Sequence, residues 1–242
     1  MGHVEVEEIS EGVYKLCCDD AGPESFEYNG FMLYRFMDKF YISNEHLDEM
    51  SRTEVNSLCR ARARFPELIT GVNKQVKEFF RSFVHAYSPR SILEIGAGRH
   101  PLFDTSPIGV EYVLADADTD VKNGLDEKTD FKEFSESSPK LIYEDGYFHL
   151  IIAIFVMQFP FCSPQIEELS RCLADDGVCI VNVYRRRPEA RKDLINALTM
   201  AGLIVKVLPD PQSLCRDHEY WAIAKDSKKA EQCLSVLSSI VA

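Results

Sequence analysis

The chain has 242 residues, of which 45% are hydrophobic, and a formal net charge of −12 at pH 7. Its length and apolar content suit one α/β domain with an appendage. The negative charge argues against nucleic acid as a partner, because non-specific binders of nucleic acid need a basic face that displaces counterions. The longest apolar run, residues 150–157, is much shorter than the ~18 residues that indicate a membrane span, so we expect no such span.

The N-terminus and the cysteines both favour a cytoplasmic location. The first residues contain no basic segment followed by an apolar one, so no signal peptide is expected. The eight cysteines include no Cys-x-x-Cys pair, and no histidine is spaced to complete a zinc site. We therefore expect reduced thiols, including the adjacent Cys17 and Cys18, and no bound metal.

Residues 1–66 are predicted to form an N-terminal α+β cap that acts as a lid on the domain at 67–242. Residues 12–47 have the pattern of short strands and turns, after which Ser51 and Glu54 form a capping box that starts a helix. Pro66 is expected to start a second helix. Aromatic side chains here fit the wall of an acceptor pocket, an ordinary core or a homodimer contact equally well. They are Phe26, Tyr28, Phe31, Tyr34, Phe36, Phe40 and Tyr41.

From residue 88 onward apolar strands alternate with helices, as in a doubly wound α/β domain. The strands are rich in Val and Ile on both faces, which indicates a mostly parallel sheet between two layers of helices. A helix over 188–201 is expected to stop at Gly202, and another spans 228–240. Seven strands are expected, at 91–95, 111–115, 131–134, 149–155, 178–184, 203–208 and 220–224. The predicted fold is a Rossmann-like α/β fold with a mostly parallel seven-stranded sheet and an N-terminal α+β cap.

The most informative segment is Ile92-Leu-Glu-Ile-Gly-Ala-Gly-Arg-His-Pro101, a buried strand that enters a tight turn. Gly96, Ala97 and Gly98 let the backbone approach a ligand, and a helix is expected to follow and offer its amides. Ligands of α/β sheets bind at this carboxyl edge. Pro101 stands where dinucleotide enzymes need a third glycine, so nicotinamide-dependent chemistry is disfavoured.

Two carboxylates favour a cationic ligand that contains a ribose. Glu94, at the end of the strand, suits an ammonium and a sulfonium, both of which S-adenosylmethionine carries, and suits a pyrophosphate poorly. Asp116 ends the second strand, 18 residues after Gly98, where a carboxylate accepts bonds from ribose hydroxyls. Asp118 is the competing candidate for this contact, and a helix N-cap is the alternative role of Asp116.

Three segments together resemble class I S-adenosylmethionine-dependent methyltransferases. Leu93-Glu-Ile-Gly-Ala-Gly98 looks like the first motif of this family. Residues 141–159 are similar to the fourth-strand region of the ubiquinone and menaquinone methyltransferases, the type 11 subgroup, and residues 173–181 resemble the fifth-strand motif. The likeness covers about 88–225 and implies a methyl-transferring enzyme with S-adenosylmethionine as its cofactor.

The resemblance also implies a row of cofactor contacts. The loop from Glu94 to Gly98 would cradle the methionine part, next to the ribose contact. Ala117 and the turn near Ser137 would flank the adenine, while Ile154 and Phe155 would border the sulfonium.

Several positions depart from the pattern of the family. His100 replaces a further glycine, and His149 replaces the usual aspartate before the fourth strand. Ser137 or Ser138 stands where an acidic residue commonly contacts the adenine. The fourth strand ends in Phe155-Val-Met-Gln-Phe and lacks the Asn/Asp-Pro-Pro-Tyr/Phe motif, which argues against a nucleobase as methyl acceptor.

Three residues are candidates for catalysis, although methyl transfer needs chiefly alignment and only sometimes a general base. They are His100 beside the glycine turn, His218 between the last two strands, and Tyr184 at the end of the fifth strand. A surface or capping role is the leading alternative for His100, and a solvated role for His218. Packing is equally expected of Tyr184.

Basic residues indicate where anionic groups would bind. Arg185, Arg186 and Arg187 follow the fifth strand, where they would hold a carboxylate or phosphate of the acceptor or flank the next helix in solvent. Arg62 and Arg64 would reach the methionine carboxylate. The sequence thus predicts O-, N- or C-methylation of a small molecule. A non-catalytic S-adenosylmethionine binder that docks a partner, and a protein or tRNA methyltransferase, are the alternatives.

Overall fold

The computed structural model describes two β-sheets with their helices. The described residues are 5–10, 12–17, 22–23, 25–37, 40–43, 46, 71–157, 159, 161–184, 188–214 and 217–242. The helix starts predicted at Ser51 and Pro66 lie outside them. No helix in these ranges is both long enough and apolar enough to cross a membrane.

The N-terminal sheet has five antiparallel strands in the order β1-β2-β5-β4-β3. The strands are β1 (Glu5–Ser10), β2 (Val13–Cys17), β3 (Ser25–Tyr28), β4 (Phe31–Met37) and β5 (Phe40–Ile42). Asn29 and Gly30 join β3 to β4 with φ angles of 51° and 82°, the left-handed conformations that a two-residue hairpin turn requires. The short strands expected here are confirmed, and β1 is an additional one.

Aromatic side chains give this sheet a small core of its own. The Phe26 ring meets the Tyr41 ring edge-on at 4.8 Å, and the Tyr41 hydroxyl donates to the Pro23 carbonyl at 2.6 Å. Phe40 and Tyr41 are fully buried, whereas Phe31 is 63% exposed. Of the three roles expected for the aromatics, core packing is therefore the one observed at Phe26, Phe40 and Tyr41.

The second sheet has seven strands in the order β11-β12-β10-β9-β6-β7-β8. These are β6 (Ser91–Ile95), β7 (Glu111–Asp116), β8 (Asp130–Glu133), β9 (Phe148–Ala153), β10 (Leu173–Val183), β11 (Ile204–Pro209) and β12 (Glu219–Ala224). Strands β6 to β10 run parallel to one another, and β12 runs antiparallel to β10 and β11. The helices are α1 (Gly71–Tyr87), α2 (Ser163–Cys172), α3 (Pro188–Met200) and α4 (Ser227–Val241), with a short 3-10 helix at Thr119–Gly124.

Apolar side chains on both faces of this sheet make the two core layers. On one face Leu93 and Ile151 belong to the same cluster as Leu169 of α2 and Leu198 of α3. On the other face, strand residues pack with α1 and α4, as Phe80 and its neighbours show. Each fully buried side chain of this kind contributes roughly 1.5–3 kcal/mol. The Rossmann-like, doubly wound fold predicted from the sequence is confirmed.

The connection from β6 to β7 corrects one prediction. No helix follows the glycine turn, because residues 96–110 form only turns and bends. Pro101 and Pro107 lack amide donors, and the polar run between them favours turns over a helix. In contrast, α3 stops as predicted, with Gly202 in the left-handed conformation at φ 82°.

Candidate functional site

The predicted site residues lie along the carboxyl edge of the large sheet. Ile95 is level with Ala115 of β7 and Ala153 of β9, so these parallel strands end together. Because β12 is antiparallel to β10 and Glu219 pairs with Val183, the start of β12 lies at the same edge. The segments after β6, β7, β9 and β10 and the segment before β12 are thus placed side by side.

Gly96 and Gly98 have different structural reasons to be glycine. Both lie in the left-handed region, at φ 67° and 57°. A Cβ on Gly96 would lie 2.3 Å from Val156 Cγ2, so packing against the segment after β9 forbids a side chain. A Cβ on Gly98 would meet no heavy atom within 4 Å. Gly98 therefore faces open space, whereas Ala97 beside it is buried.

Asp116 connects the glycine turn to the end of β7. Its Oδ2 accepts from the Gly98 amide at 3.0 Å, and its Oδ1 accepts from the Asp118 amide at 2.9 Å. Burial raises the pKa of Asp116, and these amide hydrogen bonds oppose the rise. The Ala117 backbone contributes a further hydrogen bond, and because a carboxylate has about four lone-pair sites, Asp116 can still accept from another donor.

Asp118 has the capping role that was considered for Asp116. Its side chain accepts from the Asp120 amide at 3.1 Å and caps the 3-10 helix, and Asp118 is 6% exposed. The Asp116 side chain is bonded to the glycine turn, whereas the Asp118 side chain caps the 3-10 helix. This arrangement favours Asp116 over Asp118 as the candidate for the ribose contact.

Glu94 holds the segment that replaces the expected helix. It is 2% exposed, and both carboxylate oxygens accept from the Leu102 amide, at 2.9 and 3.1 Å. The Tyr112 hydroxyl also donates to it. Burial raises the pKa of Glu94, and the bonds from Tyr112 and Leu102 oppose that rise. Glu94 is thus engaged with protein groups, and its contact with a ligand ammonium stays a prediction.

The residues predicted near the adenine lie closer to the surface. Ala117 is half-buried and Ser137 is exposed. The Ser137 hydroxyl is 2.9 Å from that of Ser135, which donates to Glu133 Oε1 at 2.9 Å. Ser135 is 3% exposed and organises this turn, a role that was not predicted from the sequence.

His100 has the surface position that was its leading alternative. Its residue is exposed, and its backbone carbonyl accepts from the Lys77 ammonium of α1. Arg81, one turn further along α1, donates through Nε to the Leu102 carbonyl at 3.0 Å. Helix α1 therefore holds the segment after the glycine turn from outside.

Three predicted site residues form an aromatic group at the ends of β9 and β10. The Phe155 ring is 5.3 Å from the Tyr184 ring, at 87°, and 6.4 Å from the His218 ring, at 14°. Phe155 has φ 57°, a conformation that is strained for an aromatic residue and is found most often at functional sites. Ile154 beside it is 8% exposed.

His218 is buried, so the solvated role considered for it is wrong. Its side chain is 0% exposed, with Nδ1 2.8 Å from Asp210 Oδ2 and Nε2 3.0 Å from Asn182 Nδ2. Both ring nitrogens are therefore used inside the protein. The turn from β11 into β12 explains the burial, because the Asp210 amide donates to the His218 carbonyl at 2.9 Å and folds the segment back.

Asp210 is held as a carboxylate by several donors. The amides of Gln212 and Leu214 donate to it at 3.0 and 2.8 Å, in addition to His218. Burial by itself raises the pKa of Asp210, but these hydrogen bonds more than offset it and hold the pKa below its usual value.

Several solved methyltransferase structures share the architecture of this chain. A TehB-like SAM-dependent methyltransferase from Corynebacterium glutamicum superposes with a TM-score of 0.54, at 14% identity over 73% of this chain and 100% of that one. The chain has the fold of the S-adenosylmethionine-dependent methyltransferases. The CurJ carbon methyltransferase gives 0.51 at 15% identity, and the citrinin polyketide synthase CMeT domain 0.50 at 16%. They cover 72% and 76% of this chain and 59% of each of theirs.

Comparison of the sequence with known families and proteins does not narrow the assignment beyond the fold. No family model matches the chain, and no curated protein is detectably similar to it in sequence. The type 11 subgroup therefore stays a prediction, and the assignment of roles within the methyltransferase fold depends on the geometry of the site.

Two residues of the candidate site were not predicted from the sequence. Asn182 is a buried amide inside the apolar strand β10, and Asp210 lies between two prolines. A polar residue within an otherwise apolar strand was the available signal. The candidates Arg62 and Arg64, and the run Arg185-Arg-Arg187, lie outside the described residues.

Proposed function

We propose that the protein is an S-adenosylmethionine-dependent methyltransferase that modifies oxygen, nitrogen or carbon of a small molecule. One observation carries this proposal. Gly98 opens onto free space while its amide is bonded to the carboxylate of Asp116, at the carboxyl edge of a methyltransferase fold. A turn without side chains beside an acidic strand end is the arrangement that a nucleoside with a charged tail requires.

The residues present fit this cofactor. Backbone at residues 94–98 would hold its methionine part, and Asp116 has lone pairs left for the ribose hydroxyls. Ala117 and Ser137 would flank the adenine, and Ile154 and Phe155 would border the sulfonium. Bound there, the cofactor supplies a methyl group on a positively charged sulfur. The protein then has to align the acceptor and exclude water.

The proposed acceptor is a small molecule, in a cytoplasmic protein. The absence of the Pro-Pro motif after β9 argues against a nucleobase, and the net charge of −12 argues against nucleic acid. An anionic group on the acceptor would meet Arg185, Arg186 and Arg187. Residues 1–66 would cover the acceptor as a lid, and 67–242 would form the catalytic domain.

A non-catalytic S-adenosylmethionine binder is the second candidate. The observation that favours it is the state of His218, whose two ring nitrogens are bonded to Asp210 and Asn182. A histidine held in this way offers no lone pair to an acceptor. Because methyl transfer does not always need a base, the enzyme remains the first proposal.

Mass spectrometry of the purified and then denatured protein distinguishes the two candidates. The enzyme is expected to release S-adenosylhomocysteine, the demethylated product, together with a co-purifying acceptor. Release of S-adenosylmethionine alone would favour the non-catalytic binder. If neither compound is retained and neither binds when added, both candidates are wrong.

A further inference from the structure

A chain of buried hydrogen bonds runs from Asp210 to the backbone of Phe155. The Phe155 amide donates to Asn182 Oδ1 at 2.7 Å, which turns the amide nitrogen of Asn182 towards His218. That nitrogen donates to His218 Nε2 at 3.0 Å, and His218 Nδ1 then donates to Asp210 Oδ2 at 2.8 Å. The Phe155 amide thus fixes the order of donors and acceptors from one end of the chain of hydrogen bonds to the other.

The side chains of Asn182, His218 and Asp210, which we call the relay because the hydrogen bonds pass through them in turn, are almost completely shielded from solvent. Asn182 is 0% exposed, and the side chains of His218 and Asp210 are 0% and 1% exposed. Buried polar groups of this kind are costly unless every one of them is paired, so the chain acts as one unit. Removing one member leaves its neighbours without their partners.

The relay ends where the segment after β9 meets the glycine turn. Phe155 has the left-handed φ of 57°, a strained conformation that persists only when the surroundings fix it. The next residue, Val156, is the one whose side chain fills the space beside Gly96. The hydrogen bond to the Phe155 amide therefore fixes the backbone next to Val156, which contacts the proposed cofactor loop.

Phe155 is also the accessible member of its aromatic group. Tyr184 and His218 are 2% and 4% exposed, whereas Phe155 is only half-buried. An aromatic ring attracts a cation placed over its face within about 6 Å. A ligand at this edge of the sheet would meet the Phe155 ring, which is stacked with the His218 ring.

We propose that Asn182, His218 and Asp210 are positioning residues that fix Phe155 so that the site prefers the cationic sulfonium to the neutral thioether. The proposal rests on the proposed function, because it requires S-adenosylmethionine as the ligand. It assigns no proton transfer to His218. The preference matters for turnover, since the demethylated product must leave before the next cofactor enters.

The experiment compares the dissociation constants of S-adenosylmethionine and S-adenosylhomocysteine by calorimetry, for the full chain and its variants. Asn182→Leu keeps the volume and breaks the relay, and Phe155→Leu removes the ring without removing a buried hydrogen bond. Each is expected to reduce the preference for S-adenosylmethionine by about three- to fivefold, the scale of a cation–π contact. The double variant is expected to lose no more of this preference than Phe155→Leu alone, because Asn182 acts through Phe155.

A control separates positioning from general stability. Gln165→Leu removes another buried amide, one that accepts from the Cys162 backbone at the start of α2. It is expected to leave the ratio of the two constants unchanged. A destabilised fold weakens both ligands alike, so the ratio reports the positioning of Phe155 and not stability.

Each outcome decides the proposal. If Asn182→Leu does not fold, Asp210→Asn, which preserves shape at the far end of the relay, replaces it and is expected to lower the preference. An unchanged ratio in Phe155→Leu, or in the relay variant that folds, overturns the inference and leaves the proposed function standing. Wild-type protein that binds neither compound overturns both.

Discussion

The carboxyl edge of the large sheet has two halves that are built differently. The half after β6 and β7 consists of backbone amides and small residues around one carboxylate, with Gly98 bonded to Asp116. The half after β9 and β10 depends on side chains from distant parts of the chain, among them Asn182 and His218. Under the proposed function, the first half would hold the cofactor and the second half would face the methyl acceptor.

Gly98→Val is the change with the largest expected effect on the first half. A valine would occupy the open space at Gly98 and strain the left-handed backbone, so binding of S-adenosylmethionine is expected to be abolished with the fold intact. Gly109→Val is the matched control, because Gly109 has φ 74° and equally open surroundings before β7, at the opposite edge. Calorimetry on both variants checks this. Equal affinities in the two would show that the turn is misplaced.

Removal of residues 1–42 tests whether a lid completes the second half. The deletion takes away the whole five-stranded sheet and is expected to spare part of the cofactor affinity while abolishing methyl transfer. The physical reason is that the cofactor loops all follow residue 88, whereas positioning the acceptor and excluding water would fall to the lid. Paired assays of binding and of S-adenosylhomocysteine formation from a metabolite extract measure the two effects. Full transfer without the segment would rule out the lid.

Asp116→Ala is expected to weaken the cofactor by about 1.5–3 kcal/mol, the scale of hydrogen bonds to a charged group. The loss should be equal for S-adenosylmethionine and S-adenosylhomocysteine, because the ribose is common to both. Asp118→Ala, which removes the cap of the 3-10 helix, serves as the comparison and should have a smaller effect on binding. A larger loss in Asp118→Ala would transfer the ribose contact to that residue.

Asp210→Asn tests the second half through stability, with the smallest expected effect. A carboxyl whose pKa is lowered by folding stabilises the protein above its unfolded pKa and loses this contribution as pH falls through the folded value. The variant should therefore be less stable by about 1–3 kcal/mol near neutral pH. The difference should start to shrink as pH falls below the ordinary aspartate pKa of about 3.9 and should be lost once pH has fallen through the lower pKa of folded Asp210. Urea unfolding at neutral and acidic pH measures it, and a gap independent of pH would contradict it.

The two halves also differ in how far the sequence predicts them. The strand ending at Asp116 and the turn at Gly98 were predictable, since an apolar run followed by glycines or an acid is a local pattern. The pairing of Asn182 with His218 was not, because 36 positions separate two residues that meet only when β10 pairs with β12. The same lack of local signal explains why His218 was expected in solvent.

The missing helix after the glycine turn has a more local cause. The pattern of the motif predicted a helix, but Pro101 and the turn-forming run after it left no continuous set of donors. In the turn that forms instead, the Glu94 carboxylate accepts from the Leu102 amide. A carboxylate at the end of a strand can therefore contact a ligand or accept hydrogen bonds from the backbone. Only its position in the folded structure shows which role it has.

Calorimetric titration of the unmodified chain with S-adenosylhomocysteine is the most direct test of whether the glycine turn and Asp116 form a cofactor site. This ligand carries the ribose, the adenine and the methionine part but transfers nothing, so binding is measured apart from chemistry and without knowledge of the acceptor. We expect one ligand to bind per chain, with binding lost in Gly98→Val and retained in Gly109→Val. Absence of binding in the unmodified chain, for this compound and for S-adenosylmethionine, would contradict it.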